Sequence, residues 1–134
     1  MKIDLHVHSK EISTCGTLSI DEIIKLYTAA GYDAIVLTNH YNTYTANALK
    51  EERGIEDFGE AYVKCLADAA KLGKQKGLLI LPGCELKFDG TTSDYLVFGM
   101  TEAHYRNYRE ICAMSPKQFS AFAAEEGLLF YQAH

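Results

Sequence analysis

The sequence predicts an α/β fold of about five strands, mostly parallel, alternating with amphipathic helices. Three observations carry that prediction. Short β-branched or apolar runs recur between segments of helical period. The helices carry explicit start and stop signals. The residues able to bind a ligand cluster near the carboxyl ends of the strands, where α/β folds build their sites.

Lys2 to His8 reads as the first strand. Ser19-Ile20-Asp21-Glu22 is a capping-box pattern opening a helix. Ile20, Ile23, Ile24 and Tyr27 then form one apolar stripe, and Gly31 supplies a left-handed stop. Asp33 to Thr38 is the second strand. Residues 41–56 are polar without a clear period and read as a long loop with a possible helical turn. Asp57 to Lys76 is helical, with Phe58, Ala61, Tyr62, Cys65, Ala69 and Leu72 on one face and Gly77 as its cap.

Leu78 to Leu86 is the third strand, expected to break near Pro82-Gly83. Asp89-Gly90 marks a turn. Asp94 to Met100 is the fourth strand, expected to form a hairpin with the third. Ser115-Pro116-Lys117-Gln118 is a second capping box with proline at the first helical position. Phe119, Phe122 and Ala123 form the buried stripe, Gly127 caps the helix, and Leu128 to Ala133 is the fifth strand. Such βα units have right-handed crossovers, in a sheet that could be open or part of a barrel.

Composition narrows the function classes. In 134 residues with 48% apolar and 23% charged content, one globular domain is expected. No apolar run approaches the roughly 18 residues of a membrane span, and charged residues interrupt the amino terminus where a signal peptide would lie. A cytoplasmic protein with no membrane partner is the expectation. The net charge of -5 disfavours a nucleic-acid partner without excluding a cleft in which metal ions supply the positive charge. Cys15, Cys65, Cys84 and Cys112 form no CxxC pair, which argues against a structural zinc knuckle and for reduced thiols.

Four of the five histidines lie in or just after strands: His6 and His8 on the first, His40 after the second, His134 after the fifth. Glu85 lies toward the end of the third. Residues i and i+2 of a strand point the same way, about 6.5 to 7 Å apart. His-x-His can therefore converge on one metal ion or serve two adjacent ones, imidazole being the commonest metal ligand. Asp4 is expected to share the His6 and His8 face as a bland polar residue. His104 is expected to be a solvated loop residue.

Asp4-Leu5-His6-Val7-His8-Ser9, Leu37-Thr38-Asn39-His40, Pro82-Gly83-Cys84-Glu85 and Gln132-Ala133-His134 resemble, in order and spacing, successive motifs of the PHP (polymerase and histidinol phosphatase) family. The resemblance covers the whole chain. It implies a partial distorted β/α barrel with up to three divalent ions (zinc, manganese or iron) at the strand ends. It further implies a phosphoesterase acting through metal-activated water on a small phosphorylated substrate. A 3′-5′ exonuclease or polymerase-associated module, or a non-enzymatic metal-binding domain, is the alternative. Carried over by position, His8, His40 and Glu85 would be catalytic. His6, His8, His40, Glu85 and His134 would be metal ligands, with Glu85 bridging.

The chain departs from the family pattern in places. Cys15-Gly16 stands where an aspartate or histidine ligand is common, so Cys15 is either a thiolate ligand or an unligated loop thiol. Thr38-Asn39-His40 replaces the usual Thr-Asp-His. A histidine on the fourth strand is missing, and Asp94, two residues earlier, could substitute. The late Asp-x-His motif of the family does not occur before the chain stops. Residues 1–134 are therefore expected to be a PHP-like domain incomplete at its carboxyl end. Open edges near the first and fifth strands would then allow pairing with a second copy.

Overall fold

The computed structural model describes residues 1–134. The strands are β1 (Ile3–Val7), β2 (Ala34–Leu37), β3 (His40–Tyr41), β4 (Leu79–Lys87), β5 (Asp94–Phe98) and β6 (Leu129–Gln132). Helices α1 (Ile20–Ala29), α2 (Thr43–Arg53), α3 (Phe58–Lys76), α4 (Glu102–Arg106), α5 (Tyr108–Ala113) and α6 (Pro116–Glu126) fill the intervals. The sheet runs β1-β2-β4-β5-β6, with β3 continuing the lane of β2 beside β4. It therefore has five lanes curled into a half-barrel.

β1, β2 and β4 are parallel, but β5 is antiparallel to both β4 and β6. The expectation of a mostly parallel sheet is corrected to a mixed one. The turn around Gly90 (φ 75°) is too short for a crossover, so β5 must return alongside β4. This places the first residue of β5, rather than its last, at the carboxyl end of β4.

Period-2 alternation divides the sheet into two faces. Ile35, Leu37, Ile80, Cys84, Leu86 and Val97 pack with the helices in one continuous core. The other face is concave and apolar at its floor. Leu5, Val36, Leu81, Leu96, Phe98, Leu129 and Tyr131 line an open groove of about 710 Å³ there. β1 and β6 are the edge lanes, each with one neighbour.

Three local expectations are revised. β4 runs unbroken through Pro82 and Gly83. Proline is tolerated because pairing with β5 begins only at Gly83, so no ladder bond on that side needs a Pro82 N–H. Gly83 is required by close approach: a Cβ there would lie 2.8 Å from Val36 Cγ1 and 3.0 Å from Thr38 Cγ2.

Residues 41–56 are not a loop. They contain β3 and the eleven-residue α2, capped by Asn42, whose Oδ1 accepts from Thr45 N at 2.7 Å, and stopped by left-handed Gly54. Only Thr45, Ala46 and Leu49 of α2 are buried, so its apolar stripe is too narrow to show as a period. His104 is likewise on a helix, not a loop. Its Nδ1 accepts from Thr101 N in a capping box, and its Nε2 lies 3.3 Å from Glu126. No helix is long and apolar enough to cross a membrane.

Candidate metal centre

The carboxyl end of the half-barrel gathers its polar side chains around Glu85. Parallel pairing sets His40 opposite Glu85 on one side, and antiparallel pairing sets Leu96 opposite it on the other. One step along, Lys87 pairs with Asp94, which lies on the same face as Glu85. β6 delivers His134 immediately after Ala133, whose N–H donates to Asp94 O at 2.8 Å.

β1 reaches the site through an irregularity. Asp4 pairs with Ile35 and Val7 with Leu37, so β1 spends one extra residue over that interval, as in a β-bulge. The bulge reverses the facing of all later residues. Asp4 thus does not share the histidine face. It points toward α1, where Tyr27 donates to Oδ2 at 2.7 Å, and its Oδ1 accepts from His6 N at 3.0 Å. Its role is to hold the bulge.

The four rim histidines all reach one carboxylate. His6 Nε2, His8 Nε2 and His40 Nδ1 lie 3.3, 3.0 and 3.1 Å from Glu85 Oε2, and His134 Nε2 lies 3.2 Å from Oε1. His6 and His8 Nε2 are 2.9 Å apart. The His8 and His40 rings meet edge to face at 4.5 Å, and His6 stacks on His134 at 5.9 Å. Glu85 is 1% exposed. Burial works to raise its carboxyl, but His8, His40 and His6 outweigh that and hold it at about 2. Burial and neighbouring His8 lower His40, against the opposing pull of Glu85 and Asp94.

The donor atoms fit divalent ions. Three groups each bring their ligand atoms within 4.8 Å of one another: His6–Glu85–His134, His40–Glu85–Asp94 and His8–Cys15–His40. Glu85 Oε1, His40 Nδ1 and Asp94 Oδ1 are buried and make no well-directed hydrogen bond, although His134 Nε2, Glu85 Oε2 and Lys87 Nζ lie 3.2, 3.1 and 3.2 Å from them respectively. Buried polar atoms are rarely left so, and an ion is one of the few ways to satisfy them together. Nitrogen, carboxylate and sulfur donors also suit first-row metals. The structure thus brings together all seven residues singled out as candidate ligands, and leaves Asp4 and His104 outside.

Asn39, Ser9 and Ser13 belong to this site although the sequence singled out none of them as a site residue. Asn39 is fully buried. Its Oδ1 accepts from Ser9 N at 2.7 Å and Ser13 Oγ at 2.9 Å, and its Nδ2 donates to Ser9 Oγ at 3.1 Å. Ser13 Oγ also accepts from His40 N at 2.9 Å. An uncharged amide thus ties the loop after β1 to the β2–β3 junction. Tyr62 Oη braces that junction from α3, donating to Asn39 O at 2.7 Å and lying 3.2 Å from Gly83 O. The only signal was that Ser9 and Asn39 fall inside the motifs that carry the histidines.

Among solved structures, the chain resembles a two-domain protein from Bacteroides vulgatus described as containing a PHP-like metal-dependent phosphoesterase. The TM-score is 0.67 at 18% identity, covering 97% of this chain and 34% of that one. It also matches an amidohydrolase from Chromobacterium violaceum with bound sulfate and no metal. There the TM-score is 0.47 at 24% identity, covering 72% of this chain and 26% of that one. This chain therefore spans about a third of the first protein's length. No curated protein matches the sequence. The first likeness supports the fold. The PHP domain itself matches residues 4–133, nearly the whole sequence, and the chain belongs to the PHP domain family.

Proposed function

We propose that this domain is a metal-dependent hydrolase of phosphate esters, acting on a small phosphorylated substrate. The observation that carries the reading is Glu85: one buried carboxylate within 3.3 Å of nitrogens from four histidines. In this reading His6, Glu85 and His134 would hold one ion and His40, Glu85 and Asp94 a second, Glu85 being common to both sets. His8, between Glu85 and the loop after β1, completes the set. Bound divalent ions supply Lewis acidity and bring the ionisation of water close to neutral pH.

The protein's own share is positioning. Asn39 and Ser13 fix the backbone of His40, and the bulge held by Asp4 and Tyr27 aims His6 and His8 at Glu85. Water activated by a bound metal ion needs no covalent enzyme intermediate. A small ester is favoured over nucleic acid by the net charge of -5. The test is hydrolysis of p-nitrophenyl phosphate with added manganese, run beside a single-strand exonuclease assay. Metal-dependent release of nitrophenol that Glu85→Ala abolishes, with the fold intact by circular dichroism, is the expected result. Exonuclease activity alone would redirect the reading to nucleic acid. Equal turnover in parent and Glu85→Ala would overturn it.

A further inference from the structure

We propose that Lys87 is a substrate-binding residue of the rim, and that its ammonium donates to a phosphoryl oxygen of the substrate beside the candidate metal centre. This rests on reading the domain as a metal-dependent hydrolase of phosphate esters. It adds a side chain that recognises the phosphoryl group by charge.

Lys87 is the last residue of β4, two positions beyond Glu85. Residues i and i+2 of a strand share a face, about 6.5 to 7 Å apart, so Lys87 rises beside Glu85. Antiparallel pairing sets Asp94 directly opposite Lys87, and Lys87 Nζ lies 3.2 Å from Asp94 Oδ1. Asp94 in turn offers an oxygen within 4.8 Å of donor atoms of Glu85 and His40. The ammonium therefore stands at the margin of the metal centre.

Its bonding capacity is not spent there. Asp94 Oδ1 receives no well-directed hydrogen bond, so the ammonium faces it by attraction and keeps donors for a ligand. The lysine side chain is 38% exposed against 14% for Asp94, so the pair opens to solvent on the lysine side. A flexible four-carbon stem lets the ammonium turn from Asp94 toward an incoming anion.

No other lysine or arginine is ion-paired with a candidate ligand. The other pairs run to Asp21, Glu22, Glu56, Glu60, Asp68 and Glu102. Arg53 spends its guanidinium on Lys10 O and Glu11 O in the loop after β1. In a chain of net charge -5, a phosphoryl group with about two negative charges needs such a cation at the rim.

A lysine that binds phosphate and one that only steadies Asp94 have opposite consequences. The charge of Lys87 repels nearby cations and competes with them for Asp94. Its removal should leave metal binding as tight as before or tighter, while phosphate binding weakens. A lysine that only steadied Asp94 would, when removed, cost metal binding first.

The test is isothermal titration calorimetry of the parent, Lys87→Met and Lys87→Arg, with the fold of each checked by circular dichroism. Methionine keeps an unbranched stem without the charge, and arginine keeps the charge. Manganese is titrated into each metal-free protein, and inorganic phosphate then into each manganese-loaded one. All three proteins should take up the same number of manganese ions, Lys87→Met at least as tightly as the parent. Lys87→Met should bind phosphate about tenfold more weakly or worse, the loss of one hydrogen bond to a charged group. Lys87→Arg should recover most of that loss. Equal phosphate affinity in the parent and Lys87→Met would overturn the assignment. So would a loss of manganese from Lys87→Met that Lys87→Arg restores, which makes the lysine a support for Asp94. A parent that holds manganese and binds no phosphate would overturn the assignment and leave the metal centre standing. A parent that binds no manganese would overturn the assignment together with the reading beneath it.

Discussion

Replacing Asn39 with alanine should destabilise the metal-free protein by about 3 kcal/mol. Asn39 is fully buried and makes three hydrogen bonds across the junction between β1 and β2. The alanine side chain leaves Ser9 N–H and Ser9 Oγ without those partners, while Ser13 Oγ still accepts from His40 N. Each buried polar group so orphaned costs about 1–3 kcal/mol, and two of them at the lower half of that range give the sum. For a domain of this length the loss corresponds to a fall in Tm of about 10 °C. Asn39→Asp keeps an acceptor for Ser9 N and Ser13 Oγ, and Ser9 Oγ can turn to donate. It should lose less than half as much. Urea unfolding of the three metal-free proteins, followed by circular dichroism, measures both quantities. Asn39→Ala within about 0.5 kcal/mol of the parent, the range of an ordinary surface substitution, would refute the argument. An aspartate variant as unstable as the alanine one would show that the amide donor, not the acceptor, holds the loop.

Other expectations follow from the same geometry. Gly83→Ala drives a methyl against Val36 and Thr38 and should cost about 1–3 kcal/mol, read from the urea midpoint; an unchanged midpoint would mean the strands separate freely there. Glu85 is held at about 2 in the folded protein against an ordinary 4.5. Its contribution to metal-free stability is therefore fully present above the ordinary value and is lost as pH falls through the folded one. Urea midpoints of the parent should fall faster than those of Glu85→Gln between about pH 5 and pH 2, and parallel curves would remove the histidine–carboxylate coupling. His104→Ala should leave metal content and turnover unchanged while losing about 1 kcal/mol or less of stability through its cap and its partly exposed pair with Glu126. A large loss of turnover would place His104 in the chemistry after all.

Features that depend on near neighbours along the chain were readable from the residues alone. Capping boxes at Ser19 and Ser115 and glycine stops at Gly31, Gly77 and Gly127 fixed α1, α3 and α6, because a cap is a contact over three or four residues. His6, His8, His40, Glu85 and His134 were legible because each sits in a short motif at a strand end. Tertiary structure decided what depends on distant partners. Pairing with β2 created the bulge that turned Asp4 away from the histidines. Helix α2 escaped notice because only three of its side chains are buried, a stripe the core uses and a local period cannot show. In the sequence Asn39 stands only as a departure from the Thr-Asp-His pattern. Its place as the tie between two loops appears only once Ser9 and Ser13, about thirty residues away, fold against it. A hydrogen bond across that separation has no sequence signature, since only the packed chain brings donor and acceptor within reach.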